Sequence, residues 1–159
     1  MPSVVSENRR YFTAQRMPAS TISSNAVFTA PDPDGLLFGL ISSSLFITWQ
    51  KTVGGRLKSD IRFSSTLTWN NFPVPQFDEA TRQSIIEAGK GVIAARDLHP
   101  ERSLADHYNP LAMDPALIRA HDALDRVVDR AFGAPRKLTT ERQRQELLFA
   151  SYARMTHEG

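Results

Sequence analysis

Cysteine is absent from this 159-residue chain, which excludes disulfides and thiolate metal sites. That absence fits a reducing compartment, and the expected location is cytoplasmic. Residues 1–20 lack a basic segment followed by an apolar core, so no signal peptide is expected. The apolar run at 36–49 is too short to cross a bilayer and is interrupted by Ser42, Ser43 and Ser44, so no membrane partner is expected. Neither a G-x-x-x-x-G-K-[ST] loop nor a G-x-G-x-x-G fingerprint occurs. Gly89-Lys90-Gly91 sits inside a helical pattern and is not a phosphate cradle. His99, His107, His121 and His157 lack the pairing that zinc needs, so no metal is expected. No nucleophile–base motif stands out, and a stand-alone hydrolase has nothing to rest on.

What the chain does have is an uneven distribution of charge. Its net charge is only +2. Residues 1–75 hold Arg9, Arg10, Arg16, Lys51, Arg56, Lys58 and Arg62 against Glu7, Asp32, Asp34 and Asp60, while residues 76–159 are slightly acidic. The positive charge gathers at 9–16 and 51–62. It faces either a polyanion or solvent.

The hydrophobic pattern changes character near residue 75. Residues 3–6, 10–15, 21–23 and 26–29 are rich in β-branched and aromatic side chains and read as short strands. Asp32-Pro33-Asp34-Gly35 is a turn. Residues 36–51 read as one largely buried helix, with Leu37, Leu40, Ile41, Leu45 and Trp49 three or four apart, ended by Gly54-Gly55. Residues 61–69 alternate as a strand, Ile61, Phe63, Ser65, Leu67 and Trp69 on the core side and Arg62, Ser64, Thr66 and Thr68 on the other. Phe72-Pro73-Val74-Pro75 closes this half. The rest reads as helical: 78–98 after Asp78, with a possible break at Gly89 and Gly91; a short helix at 103–107; 114–132 after the Asp114-Pro115 cap; and a last helix opened by Thr140 with Gln143 in a capping box. The expected class is α+β, a small mixed β subdomain with one buried helix at 1–75 followed by an all-helical subdomain at 76–159. On the helix at 114–132, Asp122, Asp125 and Asp129 interleave with Arg119, Arg126 and Arg130 and read as a salt-bridged surface. The same helix offers an apolar stripe for docking.

The segment 51–65 concentrates side chains suited to double-stranded DNA. Arg and Lys neutralise phosphates, and Ser and Thr donate to phosphate oxygens without adding charge. Arg can grip guanine through two hydrogen bonds. Asp60 is either an acceptor for the cytosine amino group or a partner that orients a nearby Arg. Candidate DNA-binding residues are Arg9, Arg10, Lys51, Arg56, Lys58, Ser59, Asp60, Arg62 and Ser64. Trp49, Phe46 and Trp69 read as core. Tyr108-Asn109-Pro110-Leu111 shares only Asn-Pro with the Asn-Pro-Pro-aromatic tetrapeptide of amino methyltransferases, and reads as a turn.

The run LFGLISSSLFITWQKTVGGRLKSDIRFSSTLTWNNFPVP resembles the target-recognition domain of MmeI-like DNA methyltransferases, large restriction–modification polypeptides that methylate adenine at N6. VVSENRRYFTAQRM and TISSNAVFTAPD are similar to that family's opening strands. LADHYNPLAMDPALIRAHDALDRVVDRAFG and TERQRQELLFASYARM resemble its C-terminal helical tail. The resemblance covers nearly the whole chain. It implies a chain that recognises DNA and is non-catalytic by itself, attached to an N-terminal methyltransferase domain before Met1 that holds S-adenosylmethionine. No cofactor is expected in this segment. Carried over by position, Lys58, Ser59, Asp60 and Arg62 contact base edges and Arg56 contacts phosphate. Thr68-Trp69-Asn70-Asn71, and Gln50 after Trp49, depart from the family pattern. A helical protein-interaction module without DNA contact is the competing reading.

Overall fold

The computed structural model describes residues 1–57 and 60–157, with residues 56 and 57 described by backbone alone. Among them the order is β1 (Val4–Val5), α1 (Leu36–Ile41), α2 (Ser44–Val53), β2 (Gly55–Leu57), β3 (Asp60–Arg62), a π-helical turn (Ser65–Trp69), α3 (Glu79–Asp97), α4 (Leu104–His107), α5 (Pro115–Ala131) and α6 (Glu141–His157). The α+β class with a helical second half is as expected. The sheet is smaller than expected and, among the described residues, wholly antiparallel rather than mixed. β3 is its centre, pairing Arg62 with Val4 of β1 on one side and with Gly55 of β2 on the other. Residues 10–15 and 21–23 form no strand, and Val27 contributes a single bridge to Pro2. The aromatic residues of that segment pack instead: Tyr11 and Phe12 are completely buried.

Residues 36–51 form two helices, not one. Ser42 caps the end of the first, and the second starts from Ser43. The Ser43 Oγ donates to the Leu40 carbonyl at 2.7 Å and accepts from the Phe46 amide at 3.3 Å. A serine hydroxyl competes with helical backbone bonds in this way, which suits it to caps. The strand expected through residue 69 stops at Arg62. Ser64 then caps the π-helical turn by accepting from the Leu67 amide. The turn is held from outside, because buried Trp49 donates its indole N–H to the Thr68 carbonyl at 2.9 Å. Thr68 is therefore buried and Leu67 is 56% exposed, the reverse of the alternation.

The caps at Asp78, Ser103, Asp114 and Thr140 all start helices. α5 packs chiefly on α3, burying Leu117, Leu124 and Val128 completely. Its apolar stripe is thus consumed inside the chain and is not free for docking. One apolar cluster joins both halves, with Phe72 5.5 Å from Phe132 between ring centroids.

α3 runs unbroken through Gly89 and Gly91, because Gly89 lies against Gly39 of α1. A Cβ on Gly39 would stand 2.8 Å from Ile85 Cγ2 and 3.0 Å from the Ile85 carbonyl oxygen. Overpacking of that kind costs about 1–3 kcal/mol, and alanine returns only about 1 kcal/mol of helix propensity. Gly39→Ala should therefore lower stability by up to about 2 kcal/mol in urea unfolding. Gly89→Ala, whose nearest neighbour would be Gly39 Cα at 3.3 Å, should be close to neutral. Equal effects would show that the α1–α3 crossing has slack.

Candidate nucleic-acid interface

The basic segment is built on the β2–β3 hairpin, which follows α2 directly. β2 and β3 pair Arg56 with Ile61 and Leu57 with Asp60. Within β3, Ile61 points into the core and is 1% exposed, while Arg62 is exposed. Strand alternation therefore places Asp60, Arg62 and Ser64 together on the outward side. Phe63 returns to the core and packs against Phe12 and Phe28.

The backbone beneath Arg62 is clamped. Fully buried Gln50 donates from Nε2 to the Arg62 carbonyl at 2.7 Å. Its side chain passes over Gly54, where a Cβ would collide with both the Gln50 amide nitrogen and the Gln50 carbonyl oxygen. Gly54 is thus required by close approach as well as by helix termination, whereas a Cβ on Gly55 would meet open space. Ser64 is half-buried and shares a 3.0 Å hydrogen bond with Thr66 Oγ1. Asn71 donates to the carbonyls of Thr66 and Leu67, which ties off the same surface.

The other candidates sit elsewhere. Arg9 donates to the carbonyls of Ala105 and Tyr108 in the helical half. Arg10 pairs with Asp122 at 3.2 Å and lies 5.2 Å from the centre of the Tyr11 ring. Lys51 pairs with Glu141 at 3.3 Å. These three cations join the first half of the chain to the second and do not gather with Arg62. Lys58 and Ser59 lie outside the described residues, as does the Arg56 side chain.

The expected salt-bridged surface on α5 is not formed. Asp125 and Asp129 turn inward and are 6% and 3% exposed. Asp125 accepts from the amide and hydroxyl of Ser44 at 2.7 and 2.6 Å, capping α2 from 81 residues away. Asp129 takes Nε and Nη2 of buried Arg144 at 3.1 and 2.9 Å. Burial raises the carboxyl pKa of both acids; for Asp129 it reaches about 6, with Arg144 pulling the other way. Arg119, Arg126 and Arg130 stay exposed, with no ion-pair partner among the described residues.

A second buried network ties the halves on another side. Arg96 donates to the Tyr108 hydroxyl from Nε and Nη2 and to the Ala14 carbonyl from Nη1. The Tyr108 proton must then go to His121 Nε2, 2.8 Å away. That leaves the His121 proton on Nδ1, turned to the Ser42 backbone without a hydrogen bond of good geometry. Sequence reading missed Gln50, Arg96, Arg144 and the inward aspartates. Polar residues at core-facing positions were the only signal for them. Tyr108-Asn109-Pro110 is a turn, with Asn109 accepting from the Leu111 amide.

Residues 1–76 match the model of the MmeI target recognition domain, and residues 77–158 match that of the MmeI C-terminal domain. DNA methyltransferase A of Bacillus subtilis (strain 168) is 37% identical over 158 residues, covering 98% of this chain and 18% of the relative. The solved structure of the Type IIL restriction-modification enzyme MmeI in complex with DNA superposes with a TM-score of 0.92 at 38% identity, over 98% of this chain and 21% of that one. The chain thus spans about a fifth of the length of the proteins it matches.

Proposed function

The chain belongs to the MmeI family, pairing its target recognition domain with its C-terminal domain, and from that premise we propose that it reads DNA sequence for a site-specific methyltransferase. The methyl-transfer domain, with S-adenosylmethionine, lies outside these residues in this reading, and the present chain supplies no catalytic group. The target base is adenine, methylated at N6 after it flips from the duplex into that domain. Residues 1–75 form the reader and 76–159 the brace behind it.

The observation that carries this reading is the single outward face of β3. Asp60, Arg62 and Ser64 share it, and Gln50 fixes the backbone under Arg62. Direct readout requires side chains held in register on a rigid strand or helix, and a two-stranded ribbon fits the major groove. Arg62 and Asp60 are the base readers, and the family resemblance adds Lys58 and Ser59 to them. Arg56 and Ser64 serve phosphate. Arg9, Arg10 and Lys51 add positive potential from where they stand, Arg10 and Lys51 lining one recess.

Arg62→Ala should lose about 1–3 kcal/mol of discrimination at one base pair, roughly 5- to 150-fold. Competition binding against duplexes altered at each position in turn measures it. Unchanged methylation patterns in both Arg62→Ala and Asp60→Asn would reject these readers. A protein-interaction role without DNA contact is favoured by one feature, the exposed Phe149, Tyr152 and Met155 on α6. A salt titration separates the two readings, because phosphate binding weakens steeply with salt.

A further inference from the structure

α5 sorts its charges by sign. Asp125 and Asp129 face the interior, and Asp122 pairs with Arg10. Arg119, Arg126 and Arg130 are left on the other flank, exposed and unpaired among the described residues. At 3.6 residues per turn the three positions fall within about 40° of one another. The guanidinium groups therefore form one line, about 16 Å long at 1.5 Å per residue. That length matches roughly five base steps of duplex at 3.4 Å each.

Cations on the neighbouring helices are treated differently. Arg82 pairs with Asp34, Lys90 with Glu87 and Arg142 with Glu146. A solvated helix face is ordinarily balanced in this manner. Asp122, one turn from Arg119 and Arg126, is taken by Arg10, so the three aligned arginines produce a positive potential that a line of phosphates neutralises. Arg126 opens onto a recess whose carboxylates, Asp122, Asp125, Asp129 and Glu141, are each taken by Arg10, Ser44, Arg144 or Lys51. Arg126 and Lys137 share that recess with Arg10 and Lys51. Lys51 lies in the last turn of α2, which passes through Gly54 into β2.

We propose that Arg119, Arg126 and Arg130 grip the phosphate backbone of double-stranded DNA beside the site read by β3. The assignment rests on the DNA-reading role proposed above. It is a positioning contact: phosphates fix register and carry no sequence information.

The test uses the intact polypeptide carrying R119Q, R126Q and R130Q together. Binding is measured across a salt series on a duplex with the recognised site and on one without it. Each lost phosphate contact flattens the slope of log K against log salt by about 0.9. The expected result is a slope shallower by about 2.7 on both duplexes, with site preference unchanged. The matching triple lysine variant, R119K, R126K and R130K, keeps the wild-type slope. An unaltered slope in a glutamine variant with the wild-type melting temperature overturns the α5 assignment alone. So does a changed preference at one base pair, which would make these side chains base readers. Wild-type protein that binds no duplex overturns the DNA-reading role, and this assignment with it.

Discussion

Replacing Arg144 by methionine is expected to destabilise the fold by about 3–5 kcal/mol at neutral pH, read from urea unfolding. Arg144 is 9% exposed and holds Asp129 through two hydrogen bonds, with Asp125 3.7 Å away. Removing one member of a buried ion pair strands the other, and that uncompensated charge dominates the loss. Here two carboxylates are stranded, and one of them caps α2. An exposed pair such as Arg142–Glu146 offers the contrast, because its removal should cost well under about 1 kcal/mol. The deficit of Arg144→Met also has a predicted sign with pH. Burial already raises the Asp129 carboxyl to about 6, and losing the guanidinium raises it further. A carboxyl raised on folding stabilises below its unfolded pKa and loses that contribution as pH rises through the folded value. The deficit should therefore be greatest near pH 8 and smallest near pH 4. A loss that is below 1 kcal/mol, or flat across that range, would mean that Asp129 is solvated.

The helical half was largely legible because its signals are local. Asp114-Pro115 and Thr140 with Gln143 declare helix starts within four residues, and the structure begins helices there. The serine break at 42–43 was visible as composition but not as structure. What turns those serines into a boundary is Asp125, which becomes a neighbour of Ser44 only after folding. The π-helical turn has the same origin, since its clamp is the indole of Trp49 reaching the Thr68 carbonyl. Periodicity assigned the wrong face to Asp125 and Asp129 for a related reason. They flank Leu124 and Val128 on α5, and an aspartate beside a leucine stripe reads as surface unless its arginine is known to lie on α6. Of the candidate site, alternation placed Arg62 and Ser64 on one outward face correctly as geometry. It could not reveal that Arg9, Arg10 and Lys51 are tied to the second half, because those contacts span 90 residues or more.

Acid should weaken the fold through His121, and His121→Gln should remove that weakness. His121 is completely buried, stacked 3.8 Å from Tyr11 and accepting from Tyr108. Desolvation, and then the nearby Arg96 charge, pull its pKa down to about 3. An unfolded chain would protonate this imidazole near pH 6.5. Between those values the unfolded state binds a proton that the folded state refuses, so stability falls as pH drops from about 6.5 toward 3. The full effect is on the order of several kcal/mol. Asp125 and Asp129 oppose it, because their raised values favour the folded state in acid. The wild-type curve alone therefore mixes the two trends. His121→Gln separates them, since its amide oxygen still accepts from Tyr108 but does not titrate. At pH 7 the variant should be less stable by about 1–3 kcal/mol, because the Tyr11 stack and the packing are disturbed. By pH 4 the gap should close or reverse. Urea midpoints of the two proteins that stay parallel from pH 7 to pH 4 would show that the imidazole reaches water in the folded chain, and that the Arg96–Tyr108–His121 network is open.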